Sequence, residues 1–273
     1  MVIEPTVSSK EKEQGGFRAN KSSTNSNDNT IGKVNVTIIT VVFNDDKCLE
    51  NTILSVLGQC YKDIEYIIID GGSTDGTLDI IKKYQDKINY WVSEKDNGIY
   101  DAMNKGVDLA TGEWVNFMNS GDSFYDNNVL RSVFESDDLN SIDVIFGHHQ
   151  IIYPHKKRIG KAGFAKNIWK GSQFSHQSAF VRLSLLRKSF FNVNNRISAD
   201  FEFFYNQIKA GKCFKRKDII VSSISSGGVS DINRIDGIVG WWNVIDKSYM
   251  RNLYYIYLVT KEMLKICIKR VIL

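Results

Sequence analysis

The chain has 273 residues, 42% hydrophobic and 24% charged, enough to bury one large core and leave room for an appendage. Its net charge of +4, with basic residues gathered only near the C-terminus, does not point to nucleic acid. Four cysteines, Cys48, Cys60, Cys213 and Cys267, form no C-x-x-C pair, which disfavours a zinc site or a disulfide framework and favours a reducing cytoplasm.

Residues 1–32 are rich in Ser, Asn, Lys and Glu and have no apolar h-region, so they predict a disordered tail rather than a signal peptide. From Val34, "VNVTIITVVF" reads as a strand ending at Asn44, and Leu49, Ile53, Val56 and Leu57 follow at helical spacing until Gly58. "IEYIIID" is a second strand with a short helix after it, and "INYWVSE" a third, followed by the helix "GIYDAMNKGVDLATG". "EWVNFMNSGD" is a fourth strand ending in a polar turn. Strands apolar on both faces and alternating with helices predict a mostly parallel sheet covered on both sides. Further on, "DVIFGHHQIIYP" reads as a strand with a hairpin and "HQSAFVRLSLLRKSFF" as strand then helix. "SADFEFFYNQIKAG" reads as a helix capped at Ser198 and stopped by Gly211. The expected division is a tail over 1–32, an α/β domain over 33–230 and a helical extension over 231–273.

In open α/β sheets, ligands bind beyond the carboxyl ends of the strands. Those ends carry Asn44, Asp70, the pair Glu94 and Asp96, and the pair Asn119 and Asp122. Any one of these acids is explained equally well as a turn or cap residue. Several at one edge are harder to explain so, because like charges repel unless a cation or hydrogen-bond donors offset them. Neither G-x-G-x-x-G nor G-x-x-x-x-G-K-[ST] is present, so no dinucleotide fingerprint or P-loop is supported. An acidic edge suits a nucleotide held by its base and ribose, with a divalent cation carrying the diphosphate. On this reading Asp70, in "YIIIDGGSTDGT", is an acceptor for a base or ribose.

Four blocks in order carry a resemblance: "VTIITVVFNDDKCLENTILSVLGQ", "IEYIIIDGGSTDGT", "SEKDNGIYDAMNKGVDLATGEWVNFMNSGDSFY" and "ISADFEFF". They resemble the inverting family 2 glycosyltransferases of GT-A fold, above all bacterial enzymes of O-antigen, capsule and colanic-acid assembly. The resemblance covers about Val34 to Ser230. It implies an α/β GT-A fold and transfer of a sugar from a nucleoside-diphosphate sugar, a UDP-sugar, to a saccharide or lipid-linked saccharide. It implies that Asn44, Asp70 and Gly71 meet the nucleoside, and that Asp96, Asn104 and Lys105 line its pocket. Asp122 would hold Mg²⁺ or Mn²⁺ on the diphosphate beside Ser120 and Gly121. His176 and Gln177 would lie by the donor sugar, and Asp200 would be the general base. The chain departs from the pattern at "NSGD", where Asp122 is the only carboxylate and relatives have several.

The chemistry needs a carboxylate within reach of the acceptor hydroxyl, a role worth roughly 10²–10⁴ in rate. Asp200 at a helix start is also what the helix dipole favours, and Glu202 is the alternative base, about 200° round the helix. "SSGGVSD", Ser225 to Asp231, reads as a lid or an ordinary loop. Trp241 and Trp242 read as packing residues before sugar platforms. The rivals are a nucleotidyltransferase and an inactive nucleotide-sugar-binding module. The first would want a Gly-rich basic loop after its first strand, where "VVFNDDKCLE" has none.

Near the C-terminus the apolar run "LYYIYLV", 253–259, is far too short to span a bilayer, and it opens the stretch "LYYIYLVTKEMLKICIKRVIL". On a helix it sets Lys261, Lys265 and Lys269 in one stripe, with Leu258, Leu264, Ile268, Val271 and Ile272 on the remaining surface. That is the interfacial type of helix, suited to an anionic membrane surface at the inner face of the plasma membrane. The alternative is a helix docked on the protein's own core or on a second subunit of a homodimer.

Overall fold

The runs of Val, Ile and Thr that read as strands pair into one ten-stranded sheet. The computed structural model describes residues 12–19, 36–135, 138–227 and 233–272. Strands β2 (Val36–Val42), β3 (Ile64–Asp70), β4 (Tyr90–Ser93) and β5 (Trp114–Phe117) are mutually parallel in the order β4-β3-β2-β5. Beyond β5 the sheet turns mixed. It runs through β9 (Ala179–Arg182), β7 (Val144–Tyr153), β10 (Phe214–Ser225) and the two-residue β6 (Ser123–Phe124), with β8 (Lys156–Gly160) hairpinned onto β7.

Two-residue periodicity splits the core between the two faces of the sheet. Ile39, Val41, Ile67 and Ile69 face helices α3 (Ile99–Leu109), α5 (Leu183–Lys188) and α6 (Ala199–Lys209). Ile38, Val42, Tyr66 and Ile68 face α1 (Leu49–Leu57), α2 (Thr77–Lys83) and α4 (Val129–Phe134). Both faces are covered, as the double-sided apolar strands require.

Three expectations change and one strand is unforeseen. Residues 12–19 are not a disordered tail. Glu13–Gly15 form β1, antiparallel to β4, and Arg18 reaches the buried Glu65 at 2.5 Å and the Leu109 carbonyl at 3.0 Å. β10, with its Lys-rich first half, carries too little apolar alternation to stand out as a strand, yet it pairs with β7 over most of its length. Ser198 precedes α6 without capping it, because its hydroxyl donates to Asn195 Oδ1 instead. The C-terminal helices α7 (Arg234–Val244) and α8 (Tyr249–Ile272) are no separate appendage, since Ile238, Ile245 and Tyr255 belong to the first core. Trp241 packs on Phe201 and Trp242 stacks on Tyr255, so both tryptophans are packing residues. The cysteines are unpaired and exposed.

Candidate active site

The loops after β2 and β3 are laced together. Asn44 sits at φ 50°, in the left-handed region that Asn tolerates better than most residues. Its N–H donates to Ser73 Oγ, its Oδ1 accepts the Thr74 N–H, and Asp45 N–H donates to Thr77 Oγ1. Asp70 lies inside this lacing with no exposed surface. Its Oδ1 accepts the Ser73 hydroxyl at 2.5 Å, and its Oδ2 accepts the Ser73 N–H at 3.0 Å and the Ser93 hydroxyl at 2.6 Å. The acid that the sequence offers to a ligand is therefore spent holding its own turn.

Gly71 explains what takes its place at the rim. A Cβ there would stand 2.5 Å from Asp96 Oδ2, so the missing side chain lets that carboxylate lean over the turn. Burial pushes Asp96 up, against the pull of the Gly98 N–H and Lys105. Asn104 and Lys105, expected at the nucleotide pocket, are both half-buried and engaged within the protein. Asn104 exchanges two hydrogen bonds with the backbone of Phe191, and Lys105 is held by Glu94, Asp101 and the Lys95 carbonyl.

The turn after β5 is pinned from below, where Thr52 of α1 donates to the Asp122 carbonyl and accepts the Gly121 N–H. Gly121 takes φ 89°, and Ser120 donates to Asp45 Oδ2 at 2.7 Å. Asp122 is 8% exposed; its Oδ2 accepts Gln177 Nε2 at 2.7 Å and its Oδ1 the Ser225 N–H at 3.1 Å. Burial pushes Asp122 up to about 6. Gln177, Ser225 and the charge of His176 offset only part of that, and Asp45 adds to it.

Asp200 starts α6 with its carboxylate between Tyr100 and His176. Oδ1 accepts the Tyr100 hydroxyl at 2.9 Å, and Oδ2 meets His176 Nδ1 at 3.2 Å. Asn119 Nδ2 lies 3.1 Å from His176 Nε2, so with the amide as donor the Nδ1–H is left for Asp200. Burial alone would raise Asp200, but His176 and the Tyr100 hydroxyl overcome it and hold its carboxyl below the usual range. Glu202 points away, to Asn192 and Asn195.

One connected path thus joins the acids: Asp200, His176, Asn119, the turn, Asp122 and back to Gln177. Asn116 fixes its middle by donating to the Gln177 and Ala179 carbonyls. A cleft of about 390 Å³ is lined by Asn97, Ile99, Tyr100, Val193 and Arg196 among others, and its Tyr100 donates to Asp200. Sequence reasoning missed Asp45, Tyr100 and Asn116. The adjacent acids of "NDDK" after β2 were a signal for the first, whereas nothing local marked the other two. Of the expected lid, Ser225 donates to Asp122 and to the Gly121 carbonyl, while residues 228–231 lie outside the described residues.

Oxygen donors at Asp122 and Asp45 suit a hard divalent cation, and a carboxylate kept at about 6 by burial is one that a cation would relieve. Among the described residues no three His, Cys, Asp or Glu side chains gather as a complete metal cage. Such a cation would need ligand oxygens from a diphosphate.

The profile of glycosyl transferase family 2 matches residues 37–201. A PGL/p-HBAD biosynthesis glycosyltransferase from Mycobacterium bovis is 30% identical over 209 residues, 73% of this chain and 76% of the relative. An uncharacterized glycosyltransferase from Mycobacterium tuberculosis is 34% identical over 177 residues, 62% of this chain and 66% of that one. S. aureus TarS residues 1–349, solved with UDP, superposes with a TM-score of 0.60 at 18% identity, covering 81% of this chain and 69% of TarS. The mannosyltransferase PcManGT from Pyrobaculum calidifontis, solved with GDP-Man and Mn²⁺, gives 0.61 at 16% identity, covering 81% and 67%. The fold shared with these structures is GT-A.

Proposed function

From a chain that belongs to glycosyl transferase family 2, we propose an inverting transferase that moves a sugar from a UDP-sugar to a saccharide or lipid-linked saccharide in bacterial surface-polysaccharide synthesis. The observation that carries the mechanistic part is the hydrogen-bonded path from Asp200 to Asp122. This reading makes its two ends, Asp200 and Asp122, the base and the cation-seeking acid. Family membership decides against a nucleotidyltransferase.

Asp200 takes the proton of the acceptor hydroxyl as that oxygen attacks the anomeric carbon from the face opposite the nucleoside diphosphate. His176 holds the carboxylate in place and keeps it ionised, and Tyr100 fixes its other oxygen. Asp122, with Asp45 beside it, would hold Mg²⁺ or Mn²⁺. When bound, such a cation offsets the charge building on the leaving diphosphate. Asp96 and Asn44 would meet the nucleoside. Supporting the UDP and metal parts are the bound ligands of TarS and of PcManGT, although the latter holds GDP-Man.

Asp200→Asn tests the assignment. Transfer should fall at least ~10²-fold, with donor affinity within a few-fold of wild type. Calorimetry with UDP and release of UDP from donor plus acceptor measure the two. An active, folded variant removes Asp200 from the role and leaves Glu202 to be tested.

A further inference from the structure

Helix α8 turns an uncharged face to solvent. Its inner side carries the fully buried Tyr255, with Leu258 and Val259 packed on the protein body. Leu258, placed on the free surface by the sequence pattern, therefore faces inward. Tyr249, Leu253, Ile256, Tyr257, Leu264 and Ile268 are each between 44 and 77% exposed. At about 100° per residue they fill an arc of about 120°, and no charged residue falls within it. An isolated exposed leucine needs no explanation, but an uncharged, mostly apolar stripe about five turns long, interrupted by Thr260, does.

The surroundings of the stripe are basic. Lys261 and Lys265 border it. The turn Ala165–Lys170 lies against the same helix through Trp169 on Tyr254 and the Tyr254 hydroxyl on the Lys170 carbonyl, and it exposes Lys166 and Lys170. That turn belongs to a basic stretch well before the C-terminus. Between Asp143 and Asp200 the chain has ten Lys and Arg and not one Asp or Glu.

We infer that the outward face of α8 lies in the surface of an anionic lipid bilayer, its apolar arc at headgroup depth and its lysines and those of the Ala165–Lys170 turn against lipid phosphate. Charge complementarity selects this occupant over a second copy. A two-fold contact sets like patch on like patch, which would bring the lysines of both copies together. From Tyr249 onward the sole acid is Glu262, already engaged by Arg234 and Lys265. The helix does not cross the bilayer; among the described residues none is long and apolar enough. The inference does not rest on the transfer reaction.

The test is sedimentation of the full chain with vesicles of phosphatidylcholine alone or mixed with phosphatidylglycerol. Cutting the chain at Arg251 is unsuitable, because it removes Tyr255 from the core. The full chain should pellet with the mixed vesicles at low salt, and far less with the neutral ones. Ile256→Asn with Leu264→Asn should lower the partition coefficient at least ~10-fold at an unchanged melting temperature. Lys166→Glu with Lys170→Glu should remove the preference for phosphatidylglycerol. The inference is overturned if the full chain stays in the supernatant with mixed vesicles at low salt, or if the apolar pair of changes leaves binding intact. A dimer that the apolar changes dissociate, without vesicle binding, makes a second copy the occupant and overturns it equally.

Discussion

Ionising Asp122 costs the folded chain free energy, because burial has pushed it up from 3.8 to about 6 and its direct partners, the Gln177 amide and the Ser225 N–H, are uncharged. The sign follows from linkage. A carboxyl whose folded pKa exceeds its unfolded one binds more protons when folded, so this stability is complete below about 4 and is lost as pH rises towards about 6. Roughly two pH units correspond to about 3 kcal/mol, to order of magnitude. A cation bound at Asp122 would restore it. Mn²⁺ with UDP should therefore raise the melting temperature clearly at pH 7.5 and much less at pH 5, where the proton competes. Asp122→Asn should erase that pH-dependent increment while binding of uridine persists. Thermal-shift curves at the two pH values check both, and equal increments in variant and wild type would place the cation elsewhere. Asp200 stands in the opposite condition: His176 and Tyr100 hold it below the usual range, so it stays ionised throughout the neutral region.

At the scale of elements, the short β1 segment matters beyond its three residues because it carries Arg18 inward. Glu65 on β3 is buried and accepts from Thr37, from the N–H and hydroxyl of Thr111, and from Arg18. Removing one partner of a buried ion pair strands the other charge. Arg18 is partly exposed, with a third of its side chain accessible, which moderates the cost. Arg18→Ala should lower stability by about 2–3 kcal/mol, read as a shift in urea midpoint at an unchanged slope. The candidate site should survive this loss, because its connected path runs through β5, the His176–Ser178 turn and α6, not through β1. UDP affinity within two-fold of wild type would agree. A variant as stable as wild type would mean that the Thr37 and Thr111 donors alone satisfy Glu65.

Over the whole molecule, α7 and α8 complete the first core rather than extend from it. Trp241 lies on Phe201 of α6, the helix that also bears Asp200, and Trp242 stacks on the fully buried Tyr255. Packing at the back of α6 thus backs the helix that presents Asp200. Tyr255→Ala should cost about 3–4 kcal/mol, as large-to-small changes at buried aromatic sites do. Unfolding should remain one transition with transfer activity lost in step, because both regions share a core. Calorimetry decides: two separated transitions would show that the C-terminal helices fold on their own.

By itself the sequence determined the half of the fold made of locally patterned pieces. Strands β2 to β5 announce themselves because double-sided burial demands unbroken Val and Ile, and the helices between them repeat every three to four residues. The four ordered blocks carried the family, and with it Asp122 and Asp200. Only the tertiary structure decided what each acid does, because a carboxylate's role depends on neighbours distant in the chain. Asp70 became a turn's anchor through Ser73 and Ser93, while Gly71 made room for Asp96 from the next strand end. His176 and Asp200, 24 residues apart, became partners because β9 and α6 bring their ends together. β1 and the Lys-rich first half of β10 escaped the pattern because a polar segment can join a sheet through backbone hydrogen bonds, and those are blind to sequence. The outward face of α8 escaped it too: spacing shows that a helix has two sides, but packing chooses which side faces water.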